Sequence, residues 1–202
     1  MRKYLLLIVT TGLLYQFTAR AQWDLSSVQS VDNTCSLSDV QIDDSKLSIQ
    51  MRGFQLGEPD LRTVNDSSEL ECKTQVSFLL PAHHKMDTFT HRVIARAAKD
   101  EHVEIRMRIA VDFAFSQFKI SGILPFGTRF DDRVLLYRSF NARSLVECSE
   151  SQQRLTFDFI WNLELNKRDL AKVGYISMEG DGARADTWLS IAKCASLGTL
   201  TR

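Results

Sequence analysis

The chain has 202 residues, with 25 basic and 25 acidic side chains and a formal net charge of zero at neutral pH. That balance gives no prior for nucleic acid or for an anionic polymer as main partner, because affinity for either rests on surplus Lys and Arg. No Gly/Ser-rich or Pro-rich linker, internal repeat or low-complexity tract divides the chain, so one domain is the simplest reading.

The first 21 residues read as a secretory signal peptide. Arg2 and Lys3 precede an apolar run from Tyr4 to Leu14, and the small-x-small pattern Ala19-Arg20-Ala21 follows. The run falls short of the roughly 20 residues a membrane helix needs, which favours cleavage over anchoring. The expected mature chain, 22–202, loses Arg2, Lys3 and Arg20 and becomes mildly acidic, with 22 basic against 25 acidic groups. Export makes disulfides possible. Cys35, Cys72, Cys148 and Cys194 are even in number and all lie in this part, spaced by 37, 76 and 46 residues without a zinc-type pattern. Two bridges are expected, and the spacings leave three connectivities open.

In chain order, the first expected strand is Lys46 to Phe54, with Leu47, Ile49 and Met51 inward. The next is Lys73 to Leu80, with Val76, Phe78 and Leu80 inward. "FTHRVIARAAKDE", from Phe89, leads into the clearest signal of all, "HVEIRMRIAVDFAF", where Val103, Ile105, Met107, Ile109, Val111, Phe113 and Phe115 alternate with more polar residues. A turn at Lys99, Asp100 and Glu101 predicts a hairpin in which Val93, Ala95 and Ala97 face Met107, Ile105 and Val103, and Arg96 faces Glu104 on the wet side. Arg133 to Phe140 and "RLTFDFIWNLEL", from Arg154, follow as strands. A short helix is expected over Lys167 to Lys172. The last pair is Tyr175 to Met178 and Ala185 to Lys193, turned at Glu179-Gly180-Asp181-Gly182. About 8 to 10 strands with one-sided alternation and short polar turns describe an all-β fold, an antiparallel, jelly-roll-like β-sandwich.

The order of landmarks resembles the secreted domain of unknown function 4360 family. The resemblance runs through "NTCSLSDVQIDDSKLSIQMRGF", "ECKTQVSFLLPA", "SLVECSESQQRLTFDFIWNLEL" and "DTWLSIAKC", each placing a cysteine at a characteristic end of a strand. It implies a secreted β-rich domain with no assigned activity. It also implies a connectivity, Cys35 with Cys72 and Cys148 with Cys194, whose loops would each contribute roughly 3 to 4 kcal/mol in the chain-entropy model. After Pro81, where family members tend to carry glycine, this chain has Ala82, His83 and His84.

That departure sits in the most conspicuous candidate for chemistry. His83, His84 and Met86, with Asp87, offer nitrogen, sulfur and oxygen ligands from one loop, 82–87, in a chain that would meet copper and zinc outside the cell. Strand parity turns His91 toward the core and His102 toward water. No GxSxG elbow, HExxH or glycine-rich phosphate loop is present, so neither a catalytic motif nor a cofactor is read. Asp131 with Asp132, or Glu179 with Asp181, are carboxylate pairs of the kind a glycosidase uses, though they fall where polar turns are expected. Arg92, Arg96, Arg106 and Arg108 would form a basic strip on the outside of the predicted hairpin, suited to acidic sugars or lipid headgroups. Asn65-Asp66-Ser67 is a glycosylation sequon if the source is eukaryotic.

Taken together, the sequence predicts a non-catalytic binding or structural module outside the cell, or in the periplasm of a Gram-negative source. Carbohydrate or a surface protein is the expected partner; an exported metal binder and an unrecognised hydrolase are the alternatives. An aromatic platform of Trp23 or Trp188 with tyrosines would mark sugar binding. Converging His83, His84 and Met86 would mark metal, and a cleft with a buried carboxylate pair would mark hydrolysis.

Overall fold

A computed structural model describes residues 21–30, 35–57, 67–113, 116–169, 171–180 and 182–195; the expected signal peptide up to residue 20, Asn65, Phe115 and Asp181 lie outside the described residues. Every regular element among them is a strand. One antiparallel sheet orders β1 (Gln22–Ser30), β5 (Ser67–Leu80), β10 (Gln153–Lys167), β7 (Val103–Phe113) and β8 (Ser116–Leu124). The other holds β2 (Ser36–Asp43), β3 (Lys46–Arg52), β12 (Arg184–Lys193), β6 (His84–Lys99), β11 (Gly174–Ser177) and β4 (Gln55–Gly57), with β9 (Phe130–Asn141) on the far edge of β6. The two sheets face each other over a shared apolar core. The fold is the expected antiparallel β-sandwich, and no described helix is long and apolar enough to cross a membrane.

The seven-stranded sheet is simpler than its strand number suggests. β11 and β12 both run antiparallel along the same edge of β6, β11 against Arg96 to Lys99 and β12 against His84 to Ile94. They are one interrupted line. β3 and β4 form a second such line beside it, broken at Gly53, whose φ of 78° few side chains tolerate. Phe54 is fully buried in that break, and its carbonyl accepts from Met178 N at 3.0 Å. The expected final hairpin is therefore corrected. β11 and β12 are collinear along β6, so the chain does not reverse between Ser177 and Arg184; a polar, glycine-rich stretch marks a bend without saying whether the chain then reverses.

The predicted hairpin at Lys99 to Glu101 is corrected as well. β6 and β7 belong to different sheets, and the intervening backbone bonds elsewhere: Asp100 N to Val173 O at 3.1 Å, and Arg168 N to His102 O at 2.9 Å. Both strands carry one apolar face, and a short link can pair their edges or fold their faces together. Here both edges of β6 are taken, by β9 and by the β11/β12 line, and both edges of β7 by β10 and β8. The connection is an arch. The expected helix over Lys167 to Lys172 is absent too: Lys167 ends β10, the Asp169 carboxylate accepts from Ala171 N at 3.0 Å, and Lys172 N reaches Asp169 O at 3.1 Å. A side chain that bonds its own following backbone favours a turn over a helix.

The core follows the alternation. Leu155, Phe157, Phe159, Trp161, Leu163 and Leu165 of β10 are all buried, each contributing roughly 1.5 to 3 kcal/mol or more on area grounds. Phe157 packs against Phe113 at 4.6 Å and Phe89 at 5.7 Å between ring centroids, linking the sheets. Trp23 is buried against Phe78 at 5.1 Å and is not part of any surface platform. Cys35 is bonded to Cys72 and Cys148 to Cys194, the pairing that the family resemblance implies. The first bridge is buried and ties the start of β2 to β5 across the sandwich; the second lies at the surface and clips the segment before β10 to the end of β12.

Candidate functional site

The outer face of the seven-stranded sheet carries the candidate site. On β12, Ala185, Thr187 and Leu189 turn inward, so Arg184, Asp186 and Trp188 turn outward. Register then sets rows across the sheet. Asp186 stands beside Ser48 on one side and Arg92 on the other, and Arg92 is opposite Tyr137. Trp188 stands between Lys46 and Thr90, with Ser139 beyond. Arg184, Ile94 and Leu135 make the next row, and Arg96 with Arg133 the one after.

Asp186 is the anchor of this face. Its side chain is 0% exposed although it points outward, because its neighbours close over it. Ser48 donates to Oδ1 at 2.6 Å, Arg92 Nε and Arg184 Nε donate to Oδ2 at 3.0 and 3.1 Å, and Lys46 Nζ lies 3.4 Å from Oδ1. Burial pushes the carboxyl pKa up, but the hydrogen bonds from Ser48, Arg92 and Arg184 and the charge of Lys46 outweigh it and hold the group at about 2. Three cations around one carboxylate leave the cluster positive. The Arg92 guanidinium also lies 4.9 Å from the centroid of the Trp188 ring, with Lys46 Nζ at 5.6 Å, so the indole is held in place by its cationic neighbours. Tyr137 and Leu135, two residues apart on the edge strand β9, are 62% and 60% exposed.

Beyond the Ile94–Leu135 row the face deepens into a groove of about 510 Å³, lined by Arg96, Asp131, Asp132, Arg133, Tyr175 and Glu179 among others. The excursion between β11 and β12 forms its wall. Glu179 holds that wall by accepting a hydrogen bond from Gly53 N. Gly182, at φ 83°, passes so near Arg133 that a Cβ there would stand 3.1 Å from Nη2.

The other candidates separate. Met86 is fully buried in the core, His83 is exposed at a left-handed turn position with φ 59°, and Nδ1 of His84 lies 2.8 Å from Ala82 O. The proposed His83, His84 and Met86 ligand set is thereby corrected: the methionine is turned away from both imidazoles by the inward alternation of β6. Among the described residues no group of three His, Cys, Asp or Glu could hold a metal ion. His91 is buried, with Nδ1 2.8 Å from Thr187 Oγ1 and the Phe159 ring 5.5 Å away; burial pushes its pKa down to about 3, against the pull of the Asp186 charge. Among the described residues its Nε2 has no hydrogen-bond partner. His102 is exposed beside Glu101, at 3.6 Å.

The predicted basic strip is split by the arch. Arg92 and Arg96 lie on the site face. Arg106 and Arg108 lie on the opposite face of the sandwich, where Glu104 and Glu164 pair with Arg106 at 2.8 and 3.7 Å and Glu164 with Arg108 at 2.8 Å. The carboxylates Asp131 and Asp132 are both exposed, and as strand neighbours they point apart. Sequence reasoning missed Lys46, Tyr137, Arg133, Arg184 and Asp186. The available signal was the polar parity of β12, Arg184-Asp186-Trp188, which names a face as surely as its apolar parity names a core.

No family model and no curated protein sequence matches the chain. Among solved structures, it is similar to TmCBM61 in complex with β-1,4-galactotriose, with 9% identity, 85% of this chain and 86% of that chain covered, and a TM-score of 0.23. It is also similar to a CBM4 structure, at 11% identity, 79% and 77% coverage and a TM-score of 0.20. The third is TmCBM27, a carbohydrate-binding module studied for mannan recognition, at 10% identity, 84% and 99% coverage and a TM-score of 0.25. Likeness at these TM-scores carries no argument about ligand, and the functional reading rests on the chain's own face.

Proposed function

We propose that the protein is an exported, non-catalytic module that binds a carbohydrate chain on the outer face of the seven-stranded sheet, and that it belongs to the domain of unknown function 4360 family its cysteine contexts resemble. One observation carries the binding reading: Trp188 and Tyr137 flank the Arg92–Asp186 pair on a single outward face. A sugar ring offers an apolar face and a rim of hydroxyls. Aromatic side chains suit the first, and rigidly held polar groups suit the second. Arg92, Arg184 and Lys46 are fixed before any ligand arrives, because Asp186 orients all three, and preorganised groups lose little freedom on binding. The two disulfides fit an oxidising compartment.

Affinity electrophoresis through gels of neutral and acidic polysaccharides tests the reading. The intact chain should be retarded by at least one glycan, and Trp188→Ala with Tyr137→Ala should weaken that by about tenfold or more, the loss expected for removing ring contacts. Retardation unchanged in the double variant would place binding elsewhere and sink the proposal.

A further inference from the structure

The groove at the end of this face bears on which carbohydrate it takes. Arg96 and Arg133 are direct register partners on β6 and β9. Like charges set opposite each other across a strand pair repel. Among the described residues neither guanidinium has an ion-pair partner. Of the nearby carboxylates, Glu179 holds the loop through Gly53 N and Asp132 Oδ1 accepts from Arg133 N at 2.7 Å, while Asp131 is exposed on the same outward face as Arg133 with no ion-pair partner among the described residues. We propose that Arg96 and Arg133 form the anion subsite of the sugar-binding face, so that the ligand is an anionic polysaccharide whose carboxylate or sulfate substituent seats between the two guanidinium groups. This rests on the carbohydrate-binding reading above and adds its substrate class.

The surroundings fit that role. Ile94 and the exposed Leu135 lie in the row between Arg96–Arg133 and Arg92–Tyr137, giving a sugar ring an apolar floor with cations at both ends. The groove volume of about 510 Å³ is of the size that holds small-molecule ligands. Paired guanidiniums match a planar oxyanion through charge-assisted hydrogen bonds, the strongest kind available to a surface site. The mild acidity expected of residues 22–202 does not oppose this, because over the face and its groove Lys46, Arg92, Arg96, Arg133 and Arg184 outnumber Asp131, Asp132, Glu179 and Asp186 by five to four, and the local field is what a ligand meets.

Titration calorimetry of the intact chain with a polyuronate, with dextran sulfate and with a neutral galactan tests the subsite. The polyuronate should bind about tenfold or more tightly than the galactan, and the preference should weaken as salt rises. Arg96→Gln with Arg133→Gln should abolish the preference while leaving the weaker neutral binding in place; both positions are on the outer face, and a melting temperature no lower than the parent's certifies the fold. Dextran sulfate binding as the polyuronate does would make the site a general oxyanion subsite, and its failure to bind would make it carboxylate-specific. Equal affinity for neutral and acidic chains, or a preference surviving in the double glutamine variant, would overturn the subsite alone. Absence of binding to every glycan would overturn the carbohydrate reading with it.

Discussion

On the outer face of the five-stranded sheet, Glu164 stands between Arg106 and Arg108, and Glu104 takes the remaining side of Arg106. Around it Gln75 donates to Asp158 at 2.7 Å and Arg154 pairs with Asp24 at 2.9 Å. On the outer face of the other sheet, one buried carboxylate gathers three cations, two more arginines stand opposed without partners among the described residues, and Tyr137 and Leu135 face water. Both faces are the polar half of the same alternation. The first pairs its carboxylates with its own arginines, as a solvated sheet does; the second sets two arginines against each other, which costs repulsion and makes sense where a ligand completes the set.

The largest pH-dependent effect lies in the core between the two faces. His91 has a folded-state pKa of about 3 against 6.5 for the free group. The unfolded chain therefore takes up the proton first, so the native advantage is complete above 6.5 and is lost as pH falls from 6.5 toward 3. The loss approaches about 1.4 kcal/mol per pH unit within that window. Urea unfolding at pH 7 and pH 5 should differ by about 2 kcal/mol. His91→Gln, which keeps a polar partner for Thr187 but does not titrate, should lose most of that difference, and an equal difference in both chains would locate the acid sensitivity elsewhere. Asp186 has the same sign in a lower window, its contribution present above 3.8 and lost as pH falls through about 2.

The next effect tests the two carboxylates that organise the faces. Asp186→Ala leaves Arg92, Arg184 and Lys46 crowded around a vacated acceptor. The full cost of breaking a buried pair is reduced here by the partial exposure of the cations, 29%, 38% and 28%, leaving about 2 to 3 kcal/mol. Glu164→Ala removes a carboxylate from a wetter network and should cost less than about 1 kcal/mol. Chemical denaturation of the two variants side by side decides it; equal losses would mean that Asp186 is merely another surface ion.

How far these faces were legible in the sequence differs by the kind of information each needed. Alternation gives parity, and the buried Val103, Ile105, Met107, Ile109 and Val111 on one strand and Leu155 to Leu165 on another were readable because parity is a local property. Partnership is not local. The parity of Arg92 and Arg96 on the one hand and Arg106 and Arg108 on the other was readable, yet whether the link after Lys99 turns in plane or arches over the core depends on which edges β9, β10 and β12 occupy. Those strands come later in the chain. The same limit hid Asp186: its outward parity predicts exposure, and only the convergence of Ser48, Arg92 and Lys46 from two other strands covers it. Met86 shows the converse, since a histidine-rich stretch drew attention to a side chain whose strand begins earlier than its composition suggests.

The smallest effect is the sharpest discriminator between the faces. If Arg96 and Arg133 repel across the β6–β9 pair, Arg133→Gln removes the repulsion and should raise stability by a few tenths of a kcal/mol, up to about 0.5. Arg108→Gln, on the other face, removes an ion pair with Glu164 and should lower stability by a comparable amount. Both differences should fade at molar salt, where the screening length falls to about 3 Å. Thermal melts at low and high salt would show the two variants displaced in opposite directions and then converging on the parent. Displacement in the same direction would mean that the Arg133 charge is already balanced, and the groove would then have no unpaired charge to offer an anion.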